Sequence, residues 1–291
     1  MPRRLTPPDG GPGTSDHVLE HDGLLREYRV HLPPVLPLRS PLVIQLHGGG
    51  GNGRGLDRLT RFHPLADQER FAVVSPSGNG RHWNDGRVNS PLAPGGGADD
   101  VGFIAALIDC VARSLPIDRR RVYAVGISNG AMMAARLAAQ LSDRIAAFAQ
   151  VAGTVAADAP AWWHPDRPVP IIQIHGTADL IVPYAGGALL ARRRTGPLPG
   201  RVVGVDDWAA MVSGHNRAVG PQVTTVAPDA TLRSWRGPTA QSDVEFWRVE
   251  GGGHTWPGGY QYLPVRIIGP TTHSFDATAA IWRFLSPHAL P

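Results

Sequence analysis

The stretch VYAVGISNGAMMAA, residues 122–135, decides the fold of this chain. Its first half is a short apolar run with β-branched residues, which is typical of a buried strand, and its second half consists of helix formers without proline. The halves meet at Gly126-x-Ser128-x-Gly130, where small residues let strand and helix approach closely. We therefore predict a strand, a strained sharp turn and a helix, with the Ser128 hydroxyl held beyond the strand end.

This turn also predicts chemistry. A serine in such a turn is a nucleophile elbow, and the helix that follows it supplies unpaired N–H groups and positive potential for a developing oxyanion. The alternative is a tight turn whose serine has no function, because so short a motif arises easily by chance in a chain with 35 glycines. Residues elsewhere in the chain must show whether Ser128 is a nucleophile or only part of a turn.

Composition narrows the class of protein. A chain of 291 residues with 42% hydrophobic and 18% charged residues has ample core, which excludes a wholly disordered protein. The net charge of +4 does not favour nucleic-acid binding, because the arginines are scattered and form a run only at Arg192, Arg193 and Arg194, which is typical of a solvated loop. The single cysteine, Cys110, lies in an apolar helical pattern and is interpreted as core.

No apolar run reaches the length of a membrane span, so we expect no membrane insertion. The first residues contain arginines without an apolar stretch after them, which is not a signal peptide as it stands. Either an intracellular protein or a secreted one whose signal has been removed fits this pattern.

The order of elements predicts an α/β fold in one domain. Residues 1–23, rich in Pro, Gly and Asp, are predicted to be a flexible lead-in, and residues 24–291 a single catalytic domain without a separate lid. Continuous apolar strands alternate with helices, which favours a mainly parallel sheet covered by helices on both faces. The Gly78 to Gly97 loop is long enough to suggest a function that the sequence does not specify.

Reactive side chains follow several of these strands. Ser128, Asp179 and His254 each come after a predicted strand end, and in parallel sheets these ends meet at one rim. A serine needs a base to take its proton, and the base needs an acid to orient it, so this order predicts a Ser-Asp-His triad. Asp166, Asp206 and Asp207 are weaker candidates for the acid, and His273 and His175 for the base, because of their surroundings. No spacing of His, Cys and carboxylates predicts a metal site.

An oxyanion would need two N–H donors. One is the amide of Asn129, directly after the nucleophile, and the second is expected from the glycine loop after the strand PLVIQL. Gly49 is the favoured residue, with its neighbour Gly50 as the alternative. His47, Trp83 and Trp256 lie in loops near the same rim and are predicted to border the substrate.

Five blocks of this sequence resemble a known family. LHGGGGN, the Trp83 loop with ADDVGFIAALID after it, GISNGAMMAARLA, HGTADLIVPY and GGGHTWPG are similar to the esterases grouped with poly(3-hydroxybutyrate) depolymerases and feruloyl esterases, close to carbohydrate esterase family 1. The resemblance implies an α/β-hydrolase fold and the same triad. It also implies that Asp100 is a structural residue near the site, that Trp256 borders the acyl pocket, and that the protein is secreted. Relatives often carry cysteines where this chain has Ser213 and His215, so a disulfide there is not expected.

The expected function is therefore that of a serine carboxylesterase without a cofactor. Feruloyl or other hydroxycinnamoyl esters, or other short-acyl esters of plant polysaccharide or hydroxyalkanoate type, are the favoured substrates. Acetyl xylan and polyhydroxybutyrate oligomers are alternatives, as is a peptidase or thioesterase reaction by the same triad. A polysaccharide-binding relative without catalysis is the alternative of another class. The sequence leaves the oligomeric state open.

Overall fold

A computed structural model describes residue 8 and residues 10–87, 97–189, 192–193, 196–197 and 200–291. The strands are β1 (Gly13–His21), β2 (Leu24–Leu32), β3 (Ser40–Leu46), β4 (Ala72–Pro76), β5 (Ile117–Ile127), β6 (Ala147–Val151), β7 (Ile171–Gly176), β8 (Gly187–Ala188), β9 (Arg192–Arg193), β10 (Gly196–Pro197), β11 (Arg201–Val202), β12 (Val219–Ala227), β13 (Ala230–Arg236) and β14 (Val244–Val249). The helices are α1 (Gly53–Thr60), α2 (Phe62–Glu69), α3 (Asp100–Ser114), α4 (Asn129–Gln140), α5 (Val205–His215), α6 (Val265–Ile268) and α7 (Ala277–Leu285). Among the described residues, single-turn 3₁₀ segments lie at Asn79–Arg81, Ala159–Ala161 and Ala240–Ser242.

One ten-stranded sheet organises the chain, in the order β1-β2-β4-β3-β5-β6-β7-β14-β13-β12. The six central strands from β4 to β14 pair in parallel, and the pairs at both edges are antiparallel. Strands β3, β4, β6 and β7 are buried along their whole length because helices cover both faces of the sheet: α3, α4 and α5 pack on one face, and α1, α2 and α7 on the other. The mainly parallel α/β prediction is therefore confirmed.

The predicted flexible lead-in is wrong for Gly13–His21, which forms β1. This strand pairs with β2 along its whole length, from Gly13 opposite Leu32 to His21 opposite Leu24. The physical reason is tertiary: β2 offers a free row of backbone groups, and Val18 and His17 are buried there, with the His17 ring stacked on Tyr28. Residues 1–7 and 9 lie outside the described residues.

The structure describes parts of two other segments that the sequence predicts to be loops. Residues 79–81 of the Gly78 to Gly97 loop form a 3₁₀ turn, whereas residues 88–96 lie outside the described residues. Arg192 and Arg193 belong to the two-residue strand β9 rather than to a loop, because they pair with β10, and Arg194 lies outside the described residues. In the described part of the chain no helix is both long and apolar enough to cross a membrane.

Candidate active site

Ser128 occupies the sharp turn between β5 and α4. Its backbone adopts φ 58° and ψ −122°, a left-handed φ that costs a non-glycine residue about 1–3 kcal/mol. The turn is fixed by the Ser128 amide, which donates to the carbonyl of Val151 at 2.9 Å. The flanking glycines are required, because a Cβ on Gly126 would lie 2.1 Å from the Gly130 oxygen and one on Gly130 would lie 2.1 Å from the Leu46 oxygen. The elbow geometry predicted from the sequence is present.

Asp179 and His254 are brought together across 75 residues of sequence. The Nδ1 atom of His254 lies 2.8 Å from Oδ2 of Asp179, and both side chains are buried. With Nδ1–H donating to the carboxylate, Nε2 of His254 carries the lone pair that accepts a proton. The backbone of His254 is fixed as well, because its carbonyl accepts a hydrogen bond from the Tyr262 hydroxyl at 2.7 Å.

The Asp179 carboxylate is held ionised. Its Oδ1 accepts hydrogen bonds from the amides of Ile181 at 2.7 Å and Val182 at 2.8 Å. Burial alone would raise the pKa of Asp179, but His254 and His175 hold it well below its usual range. His175, whose Nε2 lies 3.4 Å from Asp179 Oδ2, belongs to this cluster. The carboxylate can therefore stabilise a positive charge on His254.

Ser128 and His254 line one cavity of about 330 Å³, here called the Ser128 cavity. Apolar side chains form its walls: Leu56 and Leu59 from α1, Ile127, and, on the other side, Tyr260, Tyr262 and Leu263. Its residues include no Lys, Arg, Asp or Glu. The cavity therefore suits an uncharged group next to the serine.

The glycine loop, residues 47–51, forms the third side of this cavity. A Cβ on Gly48 would lie 3.4 Å from Ser128 Cβ, and one on Gly49 would lie 3.8 Å from Asn129 Cβ, so the loop passes beside the elbow. The Gly50 amide is already used, because it donates to the Arg81 carbonyl at 2.8 Å. Between the two candidates for the second donor, this favours Gly49. The Asn129 amide, at the first position of α4, has no acceptor within its helix.

His47 anchors the glycine loop. Its Nδ1 lies 2.7 Å from the Gly48 carbonyl, and its Nε2 accepts the Gly78 amide at 2.9 Å. Burial lowers the pKa of the His47 ring to about 4, so the ring is neutral near pH 7 and can accept this hydrogen bond. Although His47 lines the Ser128 cavity, its ring is only 1% exposed and both its nitrogens are engaged by the backbone.

The two tryptophans predicted to border the substrate are placed in the core instead. Trp83 is 1% exposed and its Nε1 donates to the His47 carbonyl, while Trp256 is 1% exposed and its Nε1 donates to Thr278 Oγ1. The Trp256 ring packs edge-on against Phe62. The prediction of an aromatic wall is thus corrected: each indole finds both an apolar environment and a partner for its N–H inside the protein.

A buried network behind the elbow escaped the sequence reasoning. The Asn129 side chain accepts the Trp83 amide at 2.8 Å and donates to the Trp83 carbonyl at 3.0 Å and to Asp85 Oδ2 at 2.5 Å. Asp85 in turn forms a buried ion pair with Arg87, with Nη2 2.6 Å from Oδ2. The signal was the dense polar cluster after the 3₁₀ turn, but sequence alone does not show which helix it faces. The network fixes the start of α4, where the Asn129 amide lies.

Asp100 supports the same loop from the other side. Its carboxylate binds Arg26 Nη2 at 2.5 Å and accepts the Asn84 amide at 2.6 Å. Burial raises the pKa of Asp100, although Asn84 and Arg26 oppose this effect. The Arg26 guanidinium also lies 4.0 Å from the centre of the Phe103 ring. These contacts agree with the structural role that the family resemblance implies.

Comparisons with known proteins identify related esterases. Residues 26–163 match the family model described as esterase PHB depolymerase. The putative esterase NocK of Nocardia uniformis subsp. tsuyamanensis is 32% identical over 283 residues, which cover 90% of this chain and 80% of that protein. The probable feruloyl esterase C of Aspergillus niger is 27% identical over 176 residues, covering 59% of this chain and 61% of that protein, which is less than two thirds of its length.

A solved structure shows the same fold. The acetyl xylan esterase from Aspergillus awamori superposes with a TM-score of 0.60 at 17% identity, over 83% of this chain and 94% of that one. Its fold is an α/β-hydrolase, as the strand order and the elbow of the present chain also indicate. Sequence and structure together assign the chain to the esterase PHB depolymerase family of α/β-hydrolases.

Proposed function

We propose that this chain hydrolyses carboxylic esters through a covalent acyl-enzyme formed on Ser128. The observation that carries the proposal is the His254–Asp179 pair, whose Nδ1–Oδ2 distance is 2.8 Å, because its histidine lines the same cavity as Ser128 in its strained elbow. No other cluster of charged side chains needs to be invoked for the chemistry.

The reaction proceeds in two steps, acylation of Ser128 and hydrolysis of the acyl-enzyme. His254 Nε2 takes the Ser128 proton as Oγ attacks the ester carbonyl, and the resulting imidazolium, stabilised by Asp179, gives that proton to the departing alcohol. Water then attacks the acyl-serine with His254 as base, which releases the acid and restores the hydroxyl. The amides of Asn129 and Gly49 stabilise the oxyanion in both steps.

The acyl group proposed is uncharged and larger than acetyl. An apolar cavity of about 330 Å³ without a charged lining residue would leave most of its volume unfilled beside an acetyl group. Hydroxycinnamoyl esters, such as those named for the feruloyl esterase relative, and hydroxybutyrate oligomers both fit this description. Secretion, which the family resemblance implies, stays a prediction.

Turnover of p-nitrophenyl butyrate by wild type and Ser128→Ala tests the reaction. We expect a loss of at least about 10³-fold in kcat with an unchanged circular dichroism spectrum, because the covalent step is removed. Ser114→Ala, which alters an exposed serine in the last turn of α3, is the matched control and should keep full activity. Retained turnover in a folded Ser128→Ala protein would contradict the proposal.

A substrate panel tests the acyl group. Methyl ferulate, acetylated xylan and hydroxybutyrate oligomers are compared by kcat/KM on wild type, with Ser128→Ala as background. We expect methyl ferulate to exceed acetylated xylan. A clear preference for acetyl esters would overturn the assignment of a larger acyl group while leaving the serine mechanism intact.

A further inference from the structure

A second cavity of about 330 Å³ lies outside the Ser128 cavity. Positively charged side chains dominate its lining. The lining residues are Arg29, Arg54, Asp57, Arg58, Arg61, His63 and Pro64. We call it the arginine cavity; nothing in the proposed ester hydrolysis uses it.

Helix α1 contributes polar residues to the arginine cavity from one of its faces. Arg54, Asp57, Arg58 and Arg61 stand at i, i+3, i+4 and i+7, which is one face of a helix, and Arg61 caps its C-terminus. The opposite face carries Leu56 and Leu59, which are buried, and these line the Ser128 cavity. One short helix thus separates an apolar cavity at the serine from a cationic one.

The base of the arginine cavity is ordered by ion pairs. Asp57 accepts from Arg29 Nε at 2.8 Å and lies 3.2 Å from His63 Nε2, and it also accepts from Ser75 Oγ and Gln45 Nε2, at 2.6 and 2.7 Å. Each of its oxygens is therefore already engaged. An anion entering the cavity meets a carboxylate whose charge is compensated by its neighbours.

Only some of the arginines that line the cavity have their positive charge compensated by an aspartate. Asp16 is shared between Arg29, at 2.5 Å, and Arg54, at 2.9 Å. Arg58 and Arg61 form no ion pair with any residue in the described parts of the chain, and both are exposed. Four guanidiniums therefore face two aspartates, which leaves an excess of two positive charges around a concave space.

We propose that the arginine cavity binds a small oxyanion, the phosphate or carboxylate group of a soluble ligand. Guanidinium groups present parallel N–H donors that match such oxyanions in a bidentate manner, and they are weakly hydrated, so binding costs less desolvation than it would for lysines. Arg58 and Arg61 supply the donors, while Arg29 and Arg54, held by their aspartates, orient the wall. The site is separate from the proposed ester hydrolysis and does not depend on it.

Calorimetric titration of the whole chain tests the site. Inorganic phosphate and glucuronate are titrated separately at constant ionic strength, into wild type, Arg58→Gln/Arg61→Gln and the control Arg113→Gln/Arg217→Gln. The control removes the same charge from exposed arginines of α3 and of the turn after α5. Esterase turnover of p-nitrophenyl butyrate by all three proteins checks that the fold and the serine site are intact.

We expect saturable binding of at least one of the two anions to wild type. The Arg58→Gln/Arg61→Gln protein should bind at least tenfold more weakly, whereas the control should stay within twofold, and esterase turnover should be unchanged in both. Tighter binding of phosphate would identify a phosphorylated ligand, and tighter binding of glucuronate a carboxylated one. Absence of saturable binding to wild type, or equal weakening by both double variants, would overturn the proposal and leave a solvated cationic face.

Discussion

Asp179→Asn tests the proposed triad most directly, because it changes one atom without changing shape. The asparagine oxygen can still accept the amides of Ile181 and Val182, so the turn after β7 should keep its conformation. The amide NH₂, however, then faces His254 Nδ1–H across 2.8 Å. Two donors cannot share a hydrogen bond, so the imidazole must move its proton to Nε2, where it can no longer accept the serine proton.

The size of the effect follows from these contacts. The hydrogen bond from the imidazolium to a charged carboxylate, worth about 1.5–3 kcal/mol, is lost, and the tautomer that can accept the serine proton leaves its buried Nδ1–H donor unpaired, at a cost of about 1–3 kcal/mol. The Asp179 side chain is 0% exposed, so water does not replace the lost partner. The sum of about 2.5–6 kcal/mol, at 1.36 kcal/mol per tenfold in rate, corresponds to a decrease of about 10²–10⁴-fold in kcat.

The assay is the steady-state hydrolysis of p-nitrophenyl butyrate, together with thermal unfolding. Asp179→Asn should lose the stated activity with a small change in Tm. Asp143→Asn, at a carboxylate that is 77% exposed, is the matched control and should match wild type in both measurements. A folded Asp179→Asn protein that retains more than a tenth of wild-type kcat would refute the assignment of Asp179 as the acid that orients His254.

Two further predictions concern the supports of the site. Burial lowers the pKa of His47 from 6.5 to about 4, so the unfolded chain takes up a proton on this ring at a higher pH than the folded protein does. The contribution of His47 to the free energy of unfolding is therefore complete above pH 6.5 and falls by about 3 kcal/mol as the pH is lowered towards 4. Urea unfolding between pH 7 and 4 should show this loss of stability. His47→Gln should lose less stability over the same pH range, because only the similar contribution of His288 remains. An equal pH dependence of the free energy of unfolding in both proteins would contradict the prediction. Asn129→Ala leaves the Trp83 backbone and Asp85 without their buried partner, and should lower the free energy of unfolding by about 3–5 kcal/mol. A loss below 1 kcal/mol in urea unfolding would show that the network does not hold the elbow.

The main elements of the site could be predicted because their signals are local. The strand-turn-helix around Ser128 is written into adjacent residues, since an apolar β-branched run, two glycines and a proline-free helix each restrict the backbone on their own. Asp179 and His254 were found by their order after strand ends, and the structure brings them into hydrogen-bond contact. Continuous apolar strands likewise indicated a parallel sheet with both faces covered.

The errors share one cause. Trp83 and Trp256 stand in polar, glycine-rich loops, which suggested exposure, but the fold buries both indoles against partners distant in sequence. Gly13–His21 looks like a flexible segment until β2 is available as its hydrogen-bonding partner. In each case the local pattern contains the residue but not the neighbour that determines its state.

The sequence by itself thus determined the parallel sheet and the elbow at Ser128, because these depend on short-range sterics and on the period of apolar residues. It indicated the family by the resemblance of its motifs. Only the tertiary structure decided that the Gly50 amide is engaged by Arg81, that His47 anchors the glycine loop, and that Asp85 supports Asn129. The arginine cavity also exists only in the tertiary structure, because Arg29 of β2 lines it together with the polar face of α1. Such contacts join segments far apart in the chain, and their geometry exists only once the sheet has aligned the loops.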